Sequence, residues 1–417
     1  MVKQSMIKRV KLFFDKTDTP VIVLYTYHHG SVSIIRSLGR IGVSVHGIDP
    51  NPWSPGLLSR YCQSKFIWSI DSAPPRVAIN YLMKVAKKIG RRCVLIHTTD
   101  QSAILLADYA DALSEYFIFP ELSPKLVRML TSKKEMQFLA KKHGISTAKT
   151  WFPQSYEDIV NCAKEAVFPV MLKEITRRGS PQMGKRMFIA KTKQDLLALY
   201  LRFENKADPN FMLQEYIPGS ESSVWVFNGY FDRNSNCLFK GTGKKIRQSP
   251  IHIGVTSLGI CQRNDRVAHM TTRFMKNIGY TGIVDIDYVY DERDDKYKVL
   301  DINPRIGSTF RLFVEQNGLD VIQAEYLDLT GQAVPSSPII EDRKWYVEDR
   351  DLISSIRYWH ENQLTFRRWM KSFQGVQERA WFACDDLIPF LLMCGRFGKK
   401  LFSKTDEGTL NPYSLIP

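Results

Sequence analysis

Acidic and amide side chains interrupt two adjoining segments that otherwise have the composition of β-strands. Residues 282–290 and 297–303 are rich in β-branched and aromatic residues and flank a charged turn, which is typical of an antiparallel hairpin. Because side chains alternate between the two faces of a strand, we expect Asp287, Asp301 and Asn303 to converge on one face. Oxygen ligands of these types hold Mg²⁺ when the ion carries a nucleotide. The spacing therefore predicts a metal site, and a surface hairpin with solvated acids is the alternative interpretation.

Two cations occur in patterns that require an anionic ligand. Arg305 lies two residues beyond Asn303 on the same predicted face, where a planar guanidinium can pair with phosphates that the metal bridges. Lys173 ends the apolar strand at 168–173, and a buried ammonium without an anion is strongly unfavourable. We therefore expect a phosphate or a carboxylate next to Lys173.

These motifs resemble those of the ATP-grasp ligases. The run Asp301-Ile-Asn-Pro-Arg, with Gly-x-x-x-x-Asp-Tyr at 282–288 before it, is similar to the metal-binding signature of that family, which usually has glutamate at the two aspartate positions. Residues 133–145 are similar to its entry helix, and residues 211–221 to its adenine-binding hinge. The resemblance covers residues 20–335.

The resemblance implies roles for individual residues in binding ATP. It places Lys173 and one lysine of the entry helix on the phosphates, with a spacing that favours Lys133 over Lys134. It also implies that a basic loop at 176–186 closes over the triphosphate. The hinge residues that would surround the purine and hold the ribose are Gln214, Glu215, Ile217 and Glu221. A solvated pair of lysines and an ordinary edge strand are the alternative interpretations.

The acceptor substrate is implied to lie next to a basic segment and a loop of the first domain. Lys244 and Arg305 would act catalytically, close to the γ-phosphate and the acceptor. The other implied substrate contacts are Arg247, His28, His29 and Ser31. The two adjacent histidines are also compatible with an ordinary polar loop.

The alternation of strands and helices predicts a fold of the α/β and α+β classes. In residues 20–125 a buried strand, a helix and a second buried strand form a β-α-β unit of a doubly wound sheet. The resemblance implies that this domain is Rossmann-like. The resemblance makes this the pre-ATP-grasp domain and assigns 126–338 to a two-subdomain ATP-grasp fold, with a small lid at 148–210. Residues 1–19 form a basic amphipathic segment, and 339–417 are predicted to be a helical C-terminal extension.

Charge and composition narrow the classes of partner. The 417 residues carry a formal net charge of +15, which implies an anionic partner, and no zinc-finger or RNA-recognition motif points to nucleic acid. No apolar run can span a bilayer, no signal-peptide core is present, and the seven scattered cysteines favour reduced thiols. We therefore expect a cytoplasmic protein. Its basic ends can contact an anionic membrane at the inner face or dock on the protein itself. A homodimer is also compatible with the sequence.

The resemblance implies an ADP-forming carboxylate–amine ligase. A substrate carboxylate would attack the γ-phosphate of ATP to give an acyl phosphate, and an amine would then displace phosphate. The implied cofactors are ATP and Mg²⁺, with two ions at the site and Mn²⁺ as a substitute. The partners would be a small-molecule carboxylate and amine, and no protein nucleophile is required. The alternatives are a small-molecule kinase of the same fold and a nucleotide-binding scaffold at the membrane without turnover.

Overall fold

A computed structural model describes residues 13–175, 187–205, 207–219 and 223–402, with side chains up to residue 399, and these residues form three β-sheets. In chain order the strands are β1 Val21–Leu24, β2 Val45–Asp49, β3 Cys62–Ile67, β4 Cys93–Ile96, β5 Phe117–Ile118, β6 Thr150–Trp151, β7 Val170–Glu174, β8 Met187–Ala190, β9 Phe211–Glu215, β10 Val224–Phe231, β11 Cys237–Ser249, β12 Val255–Cys261, β13 Gly282–Asp291, β14 Lys296–Asn303, β15 Lys344–Tyr346 and β16 Val376–Arg379. The helices are α1 His29–Ile41, α2 Pro75–Ile89, α3 Asp100–Asp108, α4 Ala110–Ser114, α5 Pro124–Thr131, α6 Lys133–Lys142, α7 Tyr156–Glu165, α8 Lys193–Phe203, α9 Asp265–Asn277, α10 Val321–Leu329, α11 Glu348–His360, α12 Phe366–Ser372 and α13 Ile388–Phe402.

The first sheet is parallel and has the strand order β3-β2-β1-β4-β5. All four residues of β1 are buried, as expected for a central strand of a parallel sheet with helices on both faces. The side chain of His28 caps α1 by accepting the Ser31 N–H, and Gly42 ends the helix in the left-handed region at a φ of 100°. The predicted β-α-β unit is confirmed.

The second sheet has seven strands in the order β14-β13-β10-β11-β12-β15-β16. One edge is the predicted antiparallel hairpin, in which Asp287 lies directly opposite Asp301. On the other side of β13, Val226 lies opposite Asp287 and belongs to the apolar cluster that contains Val32 of α1. Because directly paired residues share a face, the acidic face of the hairpin is turned towards the first domain. The opposite face packs on α9.

The third sheet is antiparallel, has the order β6-β9-β7-β8, and forms its own apolar core with α7 and α8. It occupies the region expected for the lid and continues to Glu215. Lys173 pairs with Met212, so the end of β7 that carries this lysine lies beside β9. Residues 176–186 are outside the described residues, and the predicted closing loop lies there.

The C-terminal extension contains two short strands in addition to the helices α11, α12 and α13. β15 pairs with β12, and β16 pairs in parallel with β15, so the extension adds two strands to the second sheet. A strand of three or four residues is too short for its alternation to be recognised in a sequence. Between the hairpin and α10 the chain forms a 3-10 turn at Phe310–Leu312.

Buried ion pairs attach the extension to the rest of the protein. Arg36 of α1 donates from Nε to Asp386 at 2.8 Å, with both side chains almost fully buried. Arg247 of β11 donates from Nε and Nη2 to the two carboxylate oxygens of Asp351 on α11, at 2.8 Å each. The extension is therefore held against both the first domain and the second sheet.

Among the helices of the described residues, none combines the length and the apolar character needed to cross a membrane. Residues 1–12, which make up most of the basic N-terminal segment, lie outside those residues. Contact of this segment with an anionic membrane and a cytoplasmic location stay predictions.

Replacing Arg247 with methionine should destabilise the protein, because Asp351 would keep a buried charge without its counter-ion. Only 4% of the Arg247 side chain and 2% of the Asp351 side chain are exposed, and breaking a buried pair costs about 3–5 kcal/mol. Urea unfolding should show this loss. The control is Arg263→Met, because the ion pair of Arg263 with Asp265 is exposed and such pairs contribute little to stability. Equal unfolding free energies for the two variants would contradict a role of the buried pair in stability.

Candidate active site

The two aspartates of the predicted metal site meet across the hairpin. Asp287 and Asp301 are paired residues in the register of β13 and β14. Lys245 donates from Nζ to Asp287 Oδ2 at 2.7 Å, whereas the Asp301 carboxylate has no hydrogen bond within the part of the chain that the structure describes. Burial raises the pKa of Asp301, the charge of Lys133 lowers it, and the neighbouring Asp287 raises it further. Two carboxylates thus share a position where a bound cation would relieve both burial and repulsion.

Arg305 connects the hairpin to the first domain. Its Nη2 donates to Asn303 Oδ1 at 2.9 Å, and its Nε donates to Asp100 Oδ1 at 2.8 Å. His97 Nε2 lies 3.1 Å from the carbonyl oxygen of Pro304. His97 and Asp100 follow β4, at the carboxyl edge where open α/β sheets bind ligands. The structure therefore places Arg305 beside the predicted metal ligands and at the edge of the first sheet.

Two lysines bring positive charge to Asp301. Lys133 begins α6 and donates to the carbonyl oxygen of Glu174 at 2.7 Å, and Lys173 donates to the side-chain oxygen of Gln214 at 2.6 Å. Burial lowers the pKa of Lys173 to about 8, the charge of Lys133 acts in the same direction, and Asp301 opposes them. The two ammonium groups are close enough to disfavour each other's charge, which an anion between them would reverse.

The structure distinguishes the two adjacent lysines of the entry helix. Lys134 directs its ammonium to the ring of Phe152, 5.5 Å from the ring centre. Lys133 is therefore the one that lies near Lys173 and Asp301.

The side chains of two hinge residues are bound to the protein rather than directed at a ligand. Gln214 is fully buried and donates from Nε2 to Thr150 Oγ1 at 3.1 Å. Glu215 accepts from Arg293 Nη2 at 3.0 Å and from Lys298 Nζ at 3.3 Å, so it joins the third sheet to the hairpin. If these residues contact a purine, they do so through their main chain, and the prediction for their side chains is corrected.

Ile217 lies in a small apolar cluster at the junction of the second and third sheets. The cluster contains Ala148 and Val289, with Leu300 packed against it. An apolar wall at this junction is compatible with the predicted purine contact. Glu221, the predicted ribose ligand, lies outside the described residues.

Lys244 does not reach the carboxylates, which corrects its prediction as a catalytic residue. It lies opposite Trp225 in the sheet, and its ammonium is 4.5 Å from the centre of that ring. Lys245, the next residue along the strand, points to the other face and bonds Asp287. Both lysines are visible in the sequence, but only the pairing of β10 with β11 and β13 decides which one shares a face with the acids.

Two of the residues predicted to contact the substrate form ion pairs or hydrogen bonds within the protein instead. Arg247 is paired with Asp351 and donates from Nη1 to Ser372 Oγ at 2.8 Å. Ser31 is fully buried and donates to the carbonyl oxygen of Tyr25 at 2.7 Å. Both residues therefore support the fold around the site, and their prediction as substrate ligands is corrected.

The two adjacent histidines lie within the electrostatic reach of two arginines. Burial lowers the pKa of His28 to about 3, and the charges of Arg305 and Arg350 act in the same direction. Burial also lowers the pKa of His29, again with a contribution from Arg350. Both imidazoles are therefore neutral at physiological pH. Arg350 belongs to the C-terminal extension, which the sequence had not connected with the site.

Asp285 is a third carboxylate of the hairpin that the predicted metal set did not include. It lies opposite Asn303, and burial raises its pKa to about 7, with the Asp287 charge acting in the same direction. Gly307 packs so tightly against it that a Cβ at this position would lie 2.2 Å from the Asp285 Cγ. Because Asp285 precedes Asp287 by two residues, the two side chains share a face of the strand, and this spacing could have added Asp285 to the predicted metal set.

The donor set suits a hard divalent cation. Asp287, Asp301 and Asn303 offer two carboxylates and an amide oxygen on adjacent strands. Within the described ranges no group of three or more His, Cys, Asp or Glu side chains forms a metal site by itself. Mg²⁺ in nucleotide sites is commonly held by one or two carboxylates, with water and phosphates completing the shell. The residues present therefore fit a Mg²⁺ ion whose coordination shell is completed by phosphate oxygens.

A family model matches the central part of the chain. The family model described as carbamoyl-phosphate synthase L chain, ATP binding domain, matches residues 132–327, from the start of α6 through the acidic hairpin to α10. In this segment the chain is similar to ATP-grasp proteins of the carboxylate–amine ligase type.

Individual relatives come from several branches of this class. The chain is 27% identical over 303 residues to the D-aspartate ligase of Enterococcus faecium, which covers 69% of this chain and 70% of that protein. It is 22% identical over 221 residues to the C-terminal section of the carbamoyl phosphate synthase large chain of Methanopyrus kandleri, covering 51% of this chain and 39% of that protein.

Solved structures share the fold at low sequence identity. N5-carboxyaminoimidazole synthetase from Staphylococcus aureus, complexed with ADP, has a TM-score of 0.60 at 14% identity and covers 79% of this chain and 81% of that one. The biotin carboxylase domain dimer of the Hydrogenobacter thermophilus 2-oxoglutarate carboxylase, solved with MgADP, ADP and bicarbonate, has a TM-score of 0.60 at 16% identity and covers 79% and 74%. The predicted fold class is confirmed.

Replacing Lys173 with methionine should stabilise the protein in the absence of ligand. The pKa of Lys173 is lowered from its ordinary value to about 8, so below that pH the folded protein carries a disfavoured charge that costs on the order of 1–2 kcal/mol after allowance for partial exposure. The penalty disappears as the pH rises from 8 towards 10.5, because the unfolded chain then also loses the proton. Urea unfolding at pH 7 and pH 10 measures both effects. A variant that is less stable than the wild type at pH 7 would contradict this account.

Proposed function

We propose that this ATP-grasp protein is an ADP-forming ligase that joins a substrate carboxylate to an amine through an acyl phosphate. The observation that carries the proposal is the convergence of opposite charges at one place: the paired aspartates of the hairpin, with Lys133 and Lys173 close enough to influence Asp301. A metal-bound triphosphate needs both sets of groups. The relative named D-aspartate ligase supports an amino acid as the carboxylate substrate.

Asp287, Asp301 and Asn303 would hold Mg²⁺, which when bound neutralises the phosphate charge. Two ions, or Mn²⁺ as a substitute, belong to the same proposal. Lys133 and Lys173 would pair with the phosphates, where a fixed positive charge in a partly desolvated site interacts strongly with them. The purine would lie against Ile217 at the junction of the second and third sheets.

Positive charge around the γ-phosphate would favour transfer to the carboxylate. A carboxylate oxygen attacks the γ-phosphorus, the bond to the bridging oxygen breaks, and ADP leaves. The amine then attacks the acyl carbon, and phosphate leaves with the carboxylate oxygen. Each step concentrates negative charge on oxygen, and the described groups that could stabilise it are Arg305 and Lys245. The reaction needs no protein nucleophile. Asp285 is a buried carboxylate that lies directly opposite Asn303 on the neighbouring strand.

Hydroxylamine can replace the unidentified amine in a first test. ADP and hydroxamate are measured with Mg·ATP, hydroxylamine and pooled amino acids or other carboxylates. The proposal predicts hydroxamate in proportion to ADP, and only when a carboxylate is present. ADP formation with a stable phosphorylated product and no hydroxamate would favour a kinase. Nucleotide binding without turnover of any carboxylate would favour a scaffold.

Removing a metal ligand should abolish most of the activity and leave the fold intact. Asp301→Ala and Asn303→Ala are each expected to lower ADP formation about 10²-fold or more, the scale of losing a principal electrostatic stabiliser. The control is Glu292→Ala, since Glu292 is an exposed residue in the turn of the same hairpin. Circular dichroism monitors folding. Undiminished turnover in either site variant would refute the metal assignment.

The two adjacent lysines of β11 should behave differently although they carry the same charge. Lys245→Met removes the ammonium that bonds Asp287 and should lower ADP formation about 10- to 100-fold. Lys244→Met removes a cation from the Trp225 ring on the opposite face and should leave ADP formation within about twofold of the wild type. Initial rates at saturating Mg·ATP compare them. A larger loss in Lys244→Met than in Lys245→Met would reverse the assignment.

A further inference from the structure

The helix α11 buries a polar face and exposes an apolar one. Its buried side chains are Asp351, Ser354, Ser355 and Tyr358. Asp351 accepts hydrogen bonds from Arg247 of β11 and from Ser257 of β12, so this polar face lies on the second sheet. Three large apolar side chains on another face are between 42% and 59% exposed: Leu352, Ile356 and Trp359. Their spacing of four and three residues places them in one row along the helix.

The next helix, α12, lies on the surface of the protein, since none of its residues is buried. Aromatic rings attach it to the extension. The ring centres of Trp369 and Phe373 are 5.2 Å apart, and the ring of Phe373 lies 5.1 Å from that of Tyr346 in β15. Phe366 and Met370, one turn apart, are 60% and 52% exposed. The apolar surface of the extension is defined here as Leu352, Ile356, Trp359, Phe366 and Met370.

Exposed apolar side chains are concentrated in this part of the chain. Eight of the 18 large apolar side chains that are exposed in the described residues lie between positions 352 and 391. Besides the apolar surface, these are Leu387, Ile388 and Leu391 at the start of α13, a helix that contacts α11. Single exposed apolar residues are common in folded proteins, whereas a concentration of them indicates a surface that binds an apolar partner.

Positive charge accompanies the apolar surface. Residues 352–373 contain four arginine or lysine residues and one acid. Arg367, Arg368 and Lys371 are exposed on α12, and the acid, Glu361, is hydrogen-bonded to His252 at 2.8 Å. Residues 374–399 contain three basic and three acidic residues. The excess of cations in this part of the extension therefore lies in the segment that carries the apolar surface.

The charge distinguishes between two partners that could cover the apolar surface. In a symmetric contact between two copies of the chain, the cations of α12 would lie near their own counterparts, and each copy carries a net charge of +15. Like charges oppose such a contact. An anionic lipid surface supplies the opposite charge, and its headgroup region accepts apolar side chains, with tryptophan especially favoured. The surface therefore matches a membrane better than a second copy.

We propose that α11 and α12 form a docking surface for an anionic lipid membrane. The five side chains of the apolar surface enter the headgroup region, and the arginine and lysine side chains of α12 contact the lipid phosphates. The contact is peripheral and reversible, because both helices lie along the membrane surface. This docking surface is distinct from the basic N-terminal segment, and the inference does not depend on the proposed ligase function.

Sedimentation with vesicles tests the docking surface. The full chain is mixed with vesicles of phosphatidylcholine alone or of phosphatidylcholine with phosphatidylglycerol, and the bound fraction is measured at low and high salt. We expect binding to the anionic vesicles that weakens as the salt concentration rises, because salt screens exposed charges. Absence of binding to the anionic vesicles at low salt, or equal binding to both kinds of vesicle, would overturn the inference.

Two double variants separate the apolar contribution from the charge. Trp359→Ser with Phe366→Ser should lower the partition coefficient for anionic vesicles about 10-fold or more, since two large apolar side chains no longer leave water. Arg367→Gln with Arg368→Gln should lower it about 10- to 30-fold, the range for two cations near an anionic surface. All four residues are exposed, so circular dichroism and ADP formation without vesicles should not change. Undiminished vesicle binding by the apolar variant would overturn the inference.

Matched controls change the same kinds of residue elsewhere on the protein. Trp53→Ser with Tyr156→Ser removes two exposed aromatic residues, and Arg202→Gln with Arg273→Gln removes two exposed arginines. Both controls should bind anionic vesicles within about twofold of the wild type, because their substitutions lie outside the docking surface. A loss as large as that of the α11 and α12 variants would show that binding depends on overall charge or hydrophobicity, and it would overturn the inference.

Two further measurements identify what covers Trp359. Lipids brominated in their acyl chains should quench the tryptophan fluorescence of the wild type more than that of Trp359→Phe, which keeps an aromatic ring at this position. Equal quenching of the two proteins would contradict the docking surface. Analytical ultracentrifugation of the protein alone tests the second copy. A dimer that dissociates in Trp359→Ser with Phe366→Ser, together with no vesicle binding, would assign the surface to a second copy and overturn the inference.

Discussion

Two aspartates held opposite each other on adjacent strands impose the constraint on which the rest of the structure depends. The hairpin register fixes Asp287 against Asp301, and burial makes the charge of Asp301 costly to keep. Cations from separate elements offset this cost. Lys245 donates a hydrogen bond to Asp287, and the positive charge of Lys133 favours the ionised form of Asp301. The site is electrostatically incomplete without ligands, because its cations also disfavour each other. Functional sites commonly keep such local conflicts, which the surrounding fold stabilises.

The C-terminal extension is part of the structure around this site. It adds two strands to the second sheet and is held by buried ion pairs to α1 and β11. As a consequence, Trp345 lies against His29 at the start of α1, with ring centres 5.6 Å apart. The hairpin, the lysines and Ile217 are all within the segment that the family model matches, whereas Trp345 is not. This division is what is expected if a shared core binds the nucleotide and a variable segment selects the substrate.

The sequence was sufficient to predict features that depend on the local spacing of apolar and polar residues. The hairpin could be predicted because its apolar residues alternate, and Lys173 because it ends an apolar strand. The sequence could not decide between Lys244 and Lys245, because the face on which a strand residue lies depends on the pairing of its strand with β10, which no local pattern reveals. Glu215 and Arg247 looked available for ligands, but their counter-ions come from distant parts of the chain.

Transfer of oxygen from the substrate carboxylate to the released phosphate tests the central claim most directly. The substrate is the best carboxylate of the hydroxamate assay, labelled with oxygen-18 in its carboxylate groups, and the phosphate is examined by mass spectrometry after turnover with Mg·ATP and hydroxylamine. An acyl phosphate predicts one oxygen-18 atom in each phosphate, since the attacking carboxylate oxygen leaves with phosphorus. Phosphate without the label, formed at the same rate as ADP, would contradict the proposed ligase mechanism.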